Sequence, residues 1–420
     1  MSEGKQDELA LAAKMYWAAE GYQPGGVIRE IDYSTQSGGV HPLLEGIKIV
    51  DCDTHITEAP DLFTSRAPEK YKDKVPQLRR DPDGVDRWYC CDRNFGSTGG
   101  NVIRKDHNKL LGRLAFPTVE ESHPGSYRMK ERVQLMDEAG IWAQICFQNS
   151  GVTQAGSLMA LGDNELAVTI LKIYNDASME YMEQSGQRVF NMAHLPFWDR
   201  EEMLAEARRV IDGGMKGFVL PDMPENTGVP SFADDYWTPF LEMCEATGTP
   251  INFHINAAMN PQDLVWEPMS FQQKLSIIPI MFSLGNAATI GNWMVSGRLD
   301  RHPDLKIGLI ESGVGWVPFV LEMLEHQFNE MMPDRMIEMR PWDYWRRNFW
   351  TSFWFEKIGP QTQLEIVGLD RVMFQTDFPH PTSLYPDVQQ HIVRALGDRP
   401  YEECKMVLQD NASTLFNLGL

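Results

Sequence analysis

The chain has 420 residues, 43% of them hydrophobic and 23% charged, so it can bury a sizeable core, and its length allows two or three domains or one large α/β barrel with insertions. Asp and Glu number 59 against 38 Lys and Arg, a net charge of −21, which disfavours phosphate backbones and anionic lipid surfaces as partners. The six cysteines are scattered without a CxxC pair, and no basic start leads into an apolar stretch, as expected of a cytoplasmic protein with no membrane partner. The run nearest to a membrane span, Leu275–Ile290, contains Pro279, Gly285 and Asn286 and is expected to be a buried or capping helix.

Residues 1–46 read as an N-terminal extension, an amphipathic segment (Leu9–Ala19) followed by a Gly-rich arm to Gly46. From residue 47 to 420, short β-rich runs alternate with helical stretches. The runs are Ile47–Cys52, Ala143–Gln148, Val189–His194, Lys216–Leu220, Pro250–Ile255, Lys306–Glu311, Asn348–Phe355 and Arg371–Thr376. Each is β-branched or aromatic and largely apolar on both faces, as a buried parallel strand must be. Helical spacing marks Arg200–Asp212, closed by Gly213–Gly214, then Phe240–Thr247, closed by Gly248, and Pro318–Asn329, opened by proline. Eight such alternations predict an α/β fold, the (β/α)8 TIM barrel, over 47–420. No glycine-rich phosphate loop follows any strand, which counts against a doubly wound nucleotide-binding sheet. The longest interruption, 58–128, leaves the first strand at its carboxyl end, where it would hang over an active-site mouth as a lid. The connection Asn256–Arg301 is expected to form a second wall or an oligomer contact.

Barrel chemistry is built where strands end. The first strand ends in Asp51-Cys52-Asp53-Thr54-His55, and in extended chain Asp53 and His55 point to one side. The fifth ends in Phe253-His254, the sixth in Glu311-Ser312-Gly313, the eighth in Thr376-Asp377-Phe378-Pro379-His380. Four apolar strands thus deliver metal-type groups at one relative position, which predicts a metal site. The mixed nitrogen and oxygen donors suit a divalent ion, Zn but also Mn or Fe.

These motifs, with Arg301-His302-Pro303-Asp304-Leu305-Lys306, the run Glu311 to Pro318 and the tail Asn411-Ala412-Ser413-Thr414-Leu415-Phe416, resemble the amidohydrolase superfamily, specifically the branch holding aminocarboxymuconate-semialdehyde and γ-resorcylate decarboxylases. The resemblance spans Ile47 to Leu418 and implies one catalytic divalent metal held by Asp53, His55, His254 and Asp377. Two positions depart from the family pattern. Asp53 stands where HxH is common, and Glu311 stands where the decarboxylases carry an acid/base histidine.

The expected chemistry is therefore a metal-dependent hydrolase using an activated water on a C–N, C–O or C–C bond of a cyclic or aromatic-derived small molecule. Asp377 would be the acid/base, with Glu311 as a second acid/base or ligand and His380 orienting substrate or relaying protons. The alternative is a metal-dependent nonoxidative decarboxylase of an aromatic or enoic acid, and a minor one a non-catalytic, metal-stabilised barrel. Trp88, Tyr89 and Trp354 are candidates to face the substrate, and Arg104 or Lys105 to hold an anion. Family habit implies a homo-oligomer.

Overall fold

The computed structural model describes residues 26–31, 40–255, 266, 268–334 and 337–420; the segment Leu9–Ala19 and parts of the arm and of the connection Asn256–Arg301 lie outside the described residues. One sheet holds eight strands: β1 (Ile49–Ile56), β2 (Ile141–Gln148), β3 (Val189–Asn191), β4 (Phe218–Val219), β5 (Ile251–His254), β6 (Ile307–Ile310), β7 (Phe349–Phe353) and β8 (Val372–Phe374). Hydrogen-bonded neighbours run β3-β2-β1-β8-β7-β6-β5-β4. The registers from β4 through to β1, and of β2 with β3, are parallel. Consecutive strands side by side, with β8 beside β1, make this the (β/α)8 barrel fold expected from the sequence.

All eight β-rich runs are strands, but β1 begins and ends later than its apolar run suggests. The His55 N–H donates to the Phe378 carbonyl at 2.6 Å and Thr54 bridges Phe378, so pairing continues to Ile56 and places Asp53 and His55 within the strand. Every residue of β1 is buried, and Asp51, Asp53 and His55 alternate with Val50, Cys52 and Thr54 across its two faces.

The chain packs as two units. Among the described residues, the first comprises 26–31, Thr54–Met215 and Asp377–Asp387. Its long helix, Asn164–Gln184, starts where the Asp163 carboxylate accepts the Leu166 N–H at 3.1 Å, and it buries Leu166, Ile170, Tyr174, Ala177 and Tyr181 at helical spacing. The long insertion after β1 builds a three-stranded antiparallel sheet from Gln77–Arg80, Asp86–Cys90 and Arg93–Ser97. A further strand, Lys109–Leu111, pairs with Val27–Arg29. This insertion is fastened to the segment that follows β8. Val102 N–H donates to Pro379 O at 3.0 Å, Lys109 Nζ to Ser383 O at 2.6 Å, and Val102, Ile103 and Leu110 share a core with Phe378 and Tyr385.

The second unit comprises Val40–Asp53, Lys216–Thr376 and Val388–Leu420. Phe218 packs on Phe240, and Phe232 on Trp237 and Trp293, beneath the helices Thr238–Thr247 and Phe271–Val295. The latter opens with a Ser270–Gln273 capping box and runs through Pro279. Its C-terminal half is held by buried Asn286, Ile290, Trp293 and Met294, so one missing backbone hydrogen bond does not end it. By length and composition alone, Gln272–Val295 is long and apolar enough to cross a membrane.

Candidate active site

Within the second unit, β1, the last residue of β5 and the residue after β6 bring Asp53, His254 and Glu311 together. His254 Nε2 lies 3.4 Å from Asp53 Oδ1 and 3.3 Å from Glu311 Oε2, and the ligating atoms of all three fall within 4.8 Å of one another. Gln375, just past β8, ties the two acids together. Its Oε1 accepts the Glu311 N–H at 3.1 Å and its Nε2 donates to Asp53 Oδ2 at 3.0 Å. Asp51, on the same face of β1 as Asp53, accepts from Thr376 N and Oγ1 at 2.8 and 2.6 Å. Glu311 has a φ of 58°, a left-handed conformation that strains a residue with a side chain. The loop beyond it is pinned by Glu356, whose Oε1 accepts Val314 N–H at 2.9 Å and Gly315 N–H at 3.3 Å.

Within the first unit, His55, Asp377 and His380 form a second group within the same 4.8 Å. Asp377 Oδ1 lies 3.0 Å from His380 Nδ1 and 3.4 Å from His55 Nε2, and its Oδ2 accepts from Thr382 Oγ1. The two imidazoles stack, centroids 3.7 Å apart at 18°. Burial raises the pKa of Asp377, but the His380 and His55 imidazoles outweigh it and hold the carboxyl well below the usual carboxylate range. Asp377 also sits at a positive φ of 57°. His55 Nδ1 meets Gln148 O at 2.9 Å, which leaves Nε2 as the ligating nitrogen.

β1 carries both Asp53 and His55, two residues apart on one face. Buried carboxylates beside imidazoles are the donor chemistry of a borderline divalent ion, and the residues fit a single Zn or Mn ion. The other sequence candidates lie elsewhere. Trp88 is fully buried in the insertion sheet, edge-on to Phe63, and the Tyr89 hydroxyl donates to Asp81. Trp354 is 6% exposed and packs edge-on to Phe355. Arg104 pairs with Asp106. His194 bonds Gln148 Oε1 at 2.7 Å, and burial pushes its pKa down to about 3, which suits a neutral core residue. Asp51, Gln375 and Asn149 were not singled out from the sequence. The available signal for Asp51 was its alternation with Asp53 and His55 on one strand face; the two amides carry no charge to draw attention.

The amidohydrolase family profile matches residues 50–418. γ-Resorcylate decarboxylase of Rhodococcus jostii (strain RHA1) is 28% identical over 260 residues, 59% of this chain and 76% of that one. An amidohydrolase from Mycobacterium avium subsp. paratuberculosis K-10 shares the fold with a TM-score of 0.69 at 19% identity, covering 89% of this chain and 100% of that one. A dihydroxybenzoic acid decarboxylase from Polaromonas sp. JS666, solved with bound manganese and the inhibitor 2-nitroresorcinol, aligns with a TM-score of 0.62 at 19% identity, over 89% of this chain and 98% of that one. With the profile spanning the barrel from β1 to the C-terminal helices, the chain belongs to the amidohydrolase family and is an enzyme of that superfamily.

Proposed function

We propose that this enzyme is a metal-dependent nonoxidative decarboxylase of a hydroxylated aromatic carboxylic acid. The observation that carries the reading is the 3.0 Å approach of His380 Nδ1 to Asp377 Oδ1. Glu311 stands where the decarboxylases carry a histidine, which spoke for hydrolysis, yet the β8 loop brings an imidazole to the acid/base carboxylate by another route. The γ-resorcylate decarboxylase relatives support the same class.

Asp53, His55, His254 and Asp377 would hold the ion, which when bound supplies a positive centre that draws in and polarises an anionic substrate. The Asp377–His380 pair holds a proton between Oδ1 and Nδ1. That proton goes to the ring carbon bearing the carboxylate, the C–C bond breaks, and CO₂ leaves, with no water oxygen entering the product. The insertion 58–128, fastened to the β8 loop, would wall this reaction from solvent.

Hydrolysis is the second reading, and Glu311 beside His254 favours it by supplying a further carboxylate for water chemistry. Metal-loaded protein incubated with a panel of hydroxybenzoic acids tests the choice. CO₂ release equal to substrate loss, abolished in Asp377→Asn, is expected; cleavage of lactones or amides with no CO₂ from any acid would select hydrolysis.

A further inference from the structure

We propose that Asn149 is a positioning residue of this site, holding the His380 ring so that Nδ1 faces Asp377; the proposal rests on the assignment of Asp377 and His380 to the reaction. Asn149 follows β2 directly and is 2% exposed. Its Nδ2 donates to the Gly100 carbonyl at 3.0 Å and to Thr57 Oγ1 at 2.7 Å. A backbone carbonyl only accepts, so the amide's NH₂ must lie on that side and Oδ1 on the other. Oδ1 meets His380 Nε2 at 2.9 Å, and since Oδ1 also only accepts, Nε2 carries the hydrogen. Nδ1 then faces Asp377 Oδ1 at 3.0 Å and one ring face lies on His55. Both nitrogens and a face of the ring are thereby fixed, and the asymmetry of the Asn149 amide decides which nitrogen points where.

The insertion completes this clamp with bare backbone. A Cβ on Gly100 would stand 2.7 Å from His380 Cδ2, and one on Gly99, at a φ of 91°, would stand 2.2 Å from the Asn149 carbonyl oxygen. These two glycines let the chain pass close enough for the Gly100 carbonyl to accept from Asn149 while the backbone walls the edge of the ring. The insertion therefore contributes to catalysis through the orientation of His380.

Wild type, Asn149→Ala, Asn149→Asp and Gly100→Ala are to be compared as metal-loaded, ¹⁵N-histidine-labelled protein. Steady-state kinetics would be measured on the best acid from the panel, and long-range ¹H–¹⁵N spectra would report the His380 ring, assigned by its loss in His380→Gln. In Asn149→Ala the Nε2–H signature of His380 is expected to disappear and kcat to fall about 10–100-fold, with metal content unchanged. KM should stay within about threefold of wild type. Asn149→Asp, which keeps an acceptor towards Nε2 but sets a second one against the Gly100 carbonyl, should restore the signature and only part of kcat, and Gly100→Ala should reproduce the loss by displacing the ring. An unchanged His380 signature in Asn149→Ala, or wild-type kcat in both Asn149→Ala and Gly100→Ala, would overturn the proposal. If Asn149→Ala does not fold, Gly100→Ala decides by the same two readouts. If wild type turns over no acid, the reaction assignment has failed, and the spectra alone still decide whether Asn149 sets the ring.

Discussion

In the proposed reaction Asp377 would be both a metal ligand and an acid/base, and its surroundings suit both roles. The flanking imidazoles favour its charged form against burial, while His380 gives the proton a place to rest beside it. Replacing it with Asn should remove metal from the purified protein and lower turnover by about 10²–10⁴-fold, read by elemental analysis and CO₂ release. Retention of one full equivalent of metal by Asp377→Asn would contradict the ligand assignment. Glu58 offers a test away from the donors. It is buried beyond the end of β1, accepts the Ser150 N–H at 3.1 Å, and burial pushes its pKa from 4.5 up to about 7. A carboxyl raised in the folded state stabilises the fold fully below its unfolded pKa, and that contribution is lost as pH rises through the folded value. The unfolding free energy of wild type minus that of Glu58→Gln should therefore fall by up to about 3 kcal/mol as pH rises from about 4.5 to about 7.5. Chemical denaturation across that range checks it, and a pH-independent difference would contradict the account.

At the scale of elements, the eight strands were legible because buried parallel strands leave short β-branched or aromatic runs, and the helices because glycine or proline marks their ends. Arg200–Asp212 is found with the bounds its spacing implied. Strand ends were less legible, since pairing there is settled by a distant partner. β1 gained Asp53 to Ile56 through Phe378, far along the chain. The metal-type residues were visible as charged groups ending apolar runs. Asn149 and Gln375 were not, because each is a neutral amide whose meaning lies in a partner 231 or 322 residues away. In the insertion the turn at Asp81–Gly84 could be seen, but its sheet could not, since Arg79, Arg80 and Arg93 interrupt any apolar alternation. Local capping can be tested separately from the site. Asp163→Ala should cost about 1 kcal/mol of stability by denaturant titration and leave turnover unchanged, because it removes only the cap of Asn164–Gln184. A loss of turnover in that variant would tie the helix to the chemistry.

Over the whole molecule, the net charge of −21 has a local counterpart in the second unit, where Asp53 and Glu311 are buried together beside His254. Such a cluster, on its own, would repel an aromatic carboxylate; a divalent cation reverses that sign locally and makes an anionic substrate acceptable. Chelation should therefore abolish turnover and lower the melting temperature. Restored Mn²⁺ or Zn²⁺ at a hundredfold excess over its dissociation constant should return about 3 kcal/mol of stability, measured by calorimetry. A melting temperature indifferent to metal would contradict a site built from these donors. The measurement that bears most directly on the central claim is an isotope experiment on the metal-loaded enzyme, with a carboxyl-¹³C hydroxybenzoate turned over in D₂O enriched in H₂¹⁸O. The decarboxylase account predicts ¹³CO₂ together with a product bearing one deuterium on the carbon that lost the carboxylate and no ¹⁸O. An organic product that keeps its ¹³C carboxylate and gains ¹⁸O would contradict it and identify the enzyme as a hydrolase.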